Sequence, residues 1–167
     1  DSTKGWIPVS DDAVTDAPVA PTIQRAIFAF GYTSSNVSMS NLVSSSGVVG
    51  SDVTGVGTAR HYLAAVSYGG DKAIFGYGEN ASGNVSMTNL VNNSGVVAAD
   101  VSGVGTARTG LAAASYGGDK AIFGYGLTDR NVSMSNLVNN SGVVAADVTG
   151  VGTDRYALGA AGYSYSA

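Results

Sequence analysis

Three arginines stand at matched places in this chain: Arg60 and Arg108 close the phrase "GVGTAR", and Arg155 closes "GVGTDR". A guanidinium carries a planar fork of donors that suits a carboxylate, a phosphate or a pair of sugar hydroxyls. Four tyrosines recur in step with them, Tyr68 matching Tyr116 and Tyr77 matching Tyr125. An exposed tyrosine ring is a stacking platform for a sugar, and one platform per repeat multiplies weak affinities. These seven residues are the candidates for ligand binding. Each also has a scaffold reading, which the repetition favours. The arginines would tie down neighbouring turn carbonyls or pair with a recurring Asp, and the tyrosine rings would fill space between repeats with their hydroxyls reaching solvent.

The other polar groups point away from catalysis. Asp52, Asp100 and Asp147 recur in "DVTGVG" or "DVSGVG", and Asp71 and Asp119 in "GGDK". Single carboxylates a whole repeat apart do not make a metal cage, and no D-x-[DN]-x-[DN]-G calcium loop is present. His61 is the sole histidine, its equivalents are Thr109 and Tyr156, and there is no cysteine. A general base needs a carboxylate or nucleophile held beside it, and the sequence nominates neither. We expect no enzyme, no metal and no cofactor. Asn36, Asn80, Asn84, Asn92, Asn131 and Asn139 each open an N-x-S triplet. These are formal glycosylation acceptors, but Asn and Ser crowd tight turns for backbone reasons, and that is the expected role.

The repeating units must position these groups. Only 12% of the 167 residues are charged, while 24 are Gly, and the hydrophobic share is 44%. That composition excludes a disordered chain and favours short strands joined by tight turns. A net charge of −4 and scattered basic residues argue against nucleic acid, where clustered Lys and Arg are needed. No apolar run approaches the length of a membrane-spanning helix. The chain starts at Asp1, so we expect either a removed leader or one segment of a longer product.

Three anchors define the repeat: "RAIFAFGY" from Arg25, "KAIFGYGE" from Lys72 and "KAIFGYGL" from Lys120. Ala26 to Ala73 is 47 positions and Ala73 to Ala121 is 48. Each unit holds four apolar runs of strand length, as in "KAIFGYG", "NVSMTNLV", "GVVAADV" and "LAAASYG". Alternation places Ala73, Phe75 and Tyr77 on one face of the first strand and Ile74 with Gly76 and Gly78 on the other. Both faces are apolar or small, which predicts sheets stacked face to face. An all-β chain with four strands per unit of roughly 40–50 residues reads as a β-propeller. The units are about 25–71, 72–119 and 120–167. Residues 1–24, with all three prolines and Trp6, read as an extended arm or linker.

The run "RTGLAAASYGGDKAIFGYG" from Arg108 resembles the kelch repeat, in which a strand with Arg and small residues turns into a hydrophobic strand ending in a glycine pair. Here a tyrosine separates the glycines, and the usual later Trp is missing. The likeness covers residues 25–165 and implies kelch-like, four-stranded blades, about three per chain. The wording "YGGDKAIFGYG" with "NVSMTNLV" and "GVGTAR" also resembles repeats of structural and tail-fibre-like proteins of marine bacteriophages, which implies a virion part.

The units are circularly offset. The first lacks a small-residue strand before "RAIFAFG", and "RYALGAAGYSY" has no hydrophobic strand after it. A shared blade would pair both ends and leave no edge exposed. Two chains joined head to tail would give a six-bladed ring, the arrangement we favour. Otherwise three blades close alone, with the arm bracing the ring. The expected function is a structural or interaction module, self-assembling and extracellular or virion-associated, with a carbohydrate-binding propeller as the alternative. The unmatched turns at 33–35, 79–83 and 127–130 are the first place to seek a recognition surface.

Overall fold

The computed structural model describes residues 24–163, and every regular element in them is a β-strand. The strands are β1 (Ala26–Tyr32), β2 (Asn36–Val43), β3 (Ala64–Tyr68), β4 (Lys72–Gly76), β5 (Glu79–Asn80), β6 (Gly83–Asn84), β7 (Thr88–Val91), β8 (Ala112–Tyr116), β9 (Lys120–Leu127) and β10 (Asn131–Val138). They form antiparallel sheets of order β1-β2, β3-β4-β7, β5-β6 and β8-β9-β10. The arm read over 1–24 lies outside the described residues except for Gln24.

Each full sheet straddles the boundary between two sequence units. The small-residue strand of one unit turns back at Gly-Gly-Asp and pairs with the hydrophobic strand of the next, Val66 opposite Ile74 and Ala114 opposite Ile122. Gly69 and Gly70 both adopt positive φ, 61° and 82°, which side chains resist and a tight hairpin with the right twist requires. The phrase "YGGDKAIFGYG" is therefore the turn and second strand of one hairpin. It has no third copy, so β1 pairs only with β2, and residues 157–163 form no strand.

The core lies between sheets. Phe75 and Val91 pack with Phe30 of the first sheet, while Ile74, Tyr77, Tyr68 and Ala64 pack with Phe123, Ala121 and Val138 of the last sheet and with Leu111 just before it. The middle sheet is thus covered on both faces, as its two-sided apolar pattern predicts. Alternation fails at one residue. Tyr77 does not share the face of Phe75, because its φ is 64°, and this left-handed kink turns its ring to the side of Ile74. Phe30 and Tyr125 carry the same kink, φ 64° and 61°, and the pairing registers of β1 and of β9 with β10 shift there.

The four-strand expectation is met in three strands of the first and second units and in two of the third. The run "GVVAADV" makes only isolated bridges, Val97 to Val91 and Val101 to Thr88 in the second unit. Between those bridges the Asn89 side-chain amide donates to the Ala98 carbonyl, at 2.9 Å, and to the Asp100 carboxylate, at 2.9 Å. A side chain thus takes the place where ladder bonds would run. Among the described residues the sheets close neither a barrel nor a ring.

Candidate functional site

The chemistry-bearing side chains gather at the junctions between successive units. Arg60 leaves its own unit and donates from Nε to the Tyr77 carbonyl at 2.9 Å, while Nη1 holds the Thr58 carbonyl at 3.1 Å. Its guanidinium lies 4.2 Å over the Phe30 ring, a cation–π contact. Arg108 repeats the arrangement on Tyr125 (2.8 Å), Thr106 (3.1 Å) and the Tyr77 ring (4.3 Å). Both side chains are fully buried. Burial pulls the Arg60 guanidinium down to about 10 against the pull of Asp100, so it stays charged at neutral pH. Arg108 adds a bond from Nη2 to Asn136 Oδ1 at 2.7 Å; the matching atoms of Arg60 and Asn89 are buried without a partner.

A carboxylate clamp also crosses each junction. The Thr58 N–H and hydroxyl donate to Asp100 Oδ2 at 3.0 and 2.7 Å, and Thr106 does the same to Asp147 at 3.0 and 2.6 Å. The Asn136 amide holds Asp147 from its own unit at 2.9 Å. Partial burial acts to raise the Asp100 and Asp147 pKa values, but the threonine and asparagine donors and the nearby arginine outweigh it, and both sit below the usual carboxylate range. A backbone spine completes the junction, Gly110 N–H to the Tyr62 carbonyl at 2.9 Å and Ala157 N–H to the Gly110 carbonyl at 2.8 Å.

Of the seven candidate ligand-binding residues, Arg60, Arg108, Tyr68 and Tyr77 are enclosed in these junctions, and the Tyr77 hydroxyl donates to the Val104 carbonyl. Tyr116 is exposed, and Tyr125 is half-buried under Arg155, whose guanidinium lies 4.1 Å from its ring. The seven form no single cluster. Asn92 and Asn139 accept backbone N–H groups of their own turns, and Asp71 and Asp119 pair with the adjacent Lys72 and Lys120. The turns at 33–35, 79–83 and 127–130 occupy equivalent places after β1, β4 and β9.

Sequence reading missed two things. The Asp–Thr clamp joins residues 41 or 42 apart, and its only sequence signal is that Asp and "GVGT" always recur together. The second is an exposed aromatic group found only in the first unit. His61 packs at a tilt against Tyr32 at 5.3 Å and Tyr62 at 4.3 Å, with Tyr32 and Tyr62 62% and 64% exposed. Tyr62 holds a left-handed φ of 51° at a place where the second unit has Gly110. Beside the junctions, a shallow groove of about 160 Å³ lies between the second and third units, lined by Leu90, Val101, Val104 and Val143, too small for an ordinary organic ligand. Among the described residues no cluster of His, Asp or Glu could hold a metal. No protein-family model matches the chain, and neither does any curated protein.

Proposed function

We propose that this protein is a non-enzymatic structural and interaction module, a self-assembling virion part of the tail or capsid-associated kind or a surface component, working outside a cell. Its stacked sheets are taken as kelch-like propeller blades, about three per chain, with the ring completed by a second chain. One observation carries the reading: the repeat's Arg, Asp and Thr side chains are used in holding unit to unit, two times over with the same partners. A set of groups devoted to ligand chemistry would have made one unit diverge from the others. Light scattering on the purified chain, with images of the particles, tests it. Two chains per closed ring are expected, and a lone monomer at every concentration rejects self-assembly.

The carbohydrate-binding reading is favoured by the Tyr32–His61–Tyr62 group, which offers exposed ring faces that the buried Tyr68 and Tyr77 do not. On a glycan array, binding lost in both Tyr32→Ala and Tyr62→Ala would support it over the scaffold, and silence of the unaltered protein would remove it.

A further inference from the structure

The two ends of the stack differ from its middle in a matched way. Phe28 is 62% exposed, whereas its equivalents Phe75 and Phe123 are 5% and 0% exposed, each packed against an aromatic ring of the preceding unit. Asp52 is held by Asn41 of its own unit at 2.8 Å, and no threonine clamps it among the described residues. At the other end Arg155 covers Tyr125 and holds the Thr153 carbonyl, but its Nε has no carbonyl to meet among the described residues. Residues 157–163 lie beside β8, with Gly162 close to the Ser115 carbonyl, yet form no ladder, while β1 pairs with β2 alone and, through the Gly31 N–H, with the Arg60 carbonyl among the described residues.

We infer that these ends are the two halves of one further junction, which forms between two copies of this chain. The inference rests on the self-assembling reading and gives it a register. Reproducing the internal junctions pairs residues 159–163 of one copy antiparallel with β1 of the other, Ala161 opposite Ile27 and Tyr163 opposite Arg25, as Val66 lies opposite Ile74 and Tyr68 opposite Lys72. Phe28 of the second copy then meets the Tyr125 ring, as Phe75 meets Phe30 and Phe123 meets Tyr77. Thr153 clamps the second copy's Asp52, and Arg155 Nε takes the carbonyl of its Phe30. A second copy is the occupant because every donor offered at one end has its acceptor at the other, in the chemistry both internal junctions use. An interface of this heterologous kind closes into a ring or runs on as a filament, according to the rotation per chain.

Two variants test it. The chain has no cysteine, so Arg25→Cys with Tyr163→Cys in the full chain reports the register without competing thiols. Both positions are exposed, and directly opposed strand residues are close enough to bridge. The expected product is a reducible crosslink between chains, absent from an out-of-register pair, Thr33→Cys with Tyr163→Cys. The second variant is Gly124→Ala. A Cβ there meets nothing within 4 Å in the chain alone, but at the equivalent Gly76 it would lie 2.7 Å from Phe123. Gly124→Ala should therefore leave the unfolding midpoint of dilute protein unchanged and weaken association by about tenfold or more. A crosslink confined within single chains overturns the inference, as does one that forms only after residues 1–23 are removed. Association that survives Gly124→Ala without the in-register crosslink overturns this junction and leaves the self-assembling reading standing. No association at all overturns both.

Discussion

Asp100 and Asp147 each receive a hydroxyl, a backbone N–H and an amide, and these donors favour the charged form more than partial burial opposes it. Both carboxyls therefore titrate lower in the folded chain than in the unfolded one. The stabilisation they provide is complete above the free carboxyl value of about 4 and disappears as pH falls through the lower folded value. Urea unfolding of the wild type should thus lose stability steeply below about pH 4. Asp147→Asn should cost about 1–2 kcal/mol at pH 7, because an amide nitrogen turned toward Thr106 accepts nothing, and should flatten that acid limb. Equal acid sensitivity in wild type and variant would show that the clamp is not what titrates. The recurrence of these aspartates was plain in the sequence. Their partners were not legible, since a threonine 41 or 42 residues away is chosen by how units stack and not by local spacing. The arginines were half legible: a tie to turn carbonyls was expected, but nothing in "GVGTAR" tells that the carbonyl belongs to the next unit.

Among the elements, the hydrophobic strand shows how close the sheets come. Gly76 sits where a Cβ would press on Phe123, at 2.7 Å, and on the Thr88 methyl, at 3.1 Å. An added methyl has no room between rigid neighbours, so Gly76→Ala should destabilise by about 1–3 kcal/mol in denaturant unfolding. The same change at Gly124 should be near neutral in dilute protein, since nothing lies within 4 Å. Equal costs at the two glycines would mean that backbone strain and not the Phe123 contact sets the requirement. Strand positions were legible because β-branched and aromatic runs fall between glycines at a fixed period. The face of Tyr77 was not, because alternation assumes an unbroken ladder and the chain kinks left-handed at that residue. Nor was the loss of the fourth strand, where the Asn89 and Asn136 side chains replace ladder bonds with bonds of their own.

Across the whole molecule, stability should follow position in the stack, because each sheet packs against the next. The middle sheet has a neighbour on each face, and β4 is paired along both edges. The β1-β2 sheet has one covered face among the described residues, and β1 is paired along one edge. Native-state hydrogen exchange of dilute protein should therefore show the amides of Ile74 and Phe75 opening only with global unfolding. Those of β1 that bond to β2 should open with a lower free energy, by local fraying of the first unit. Raising the protein concentration should protect β1 selectively while leaving β4 unchanged, because a docked strand adds bonds to the open edge alone. If β1 and β4 exchange at one common rate in dilute protein, the three units unfold as a single block and the stack is not a chain of separable junctions.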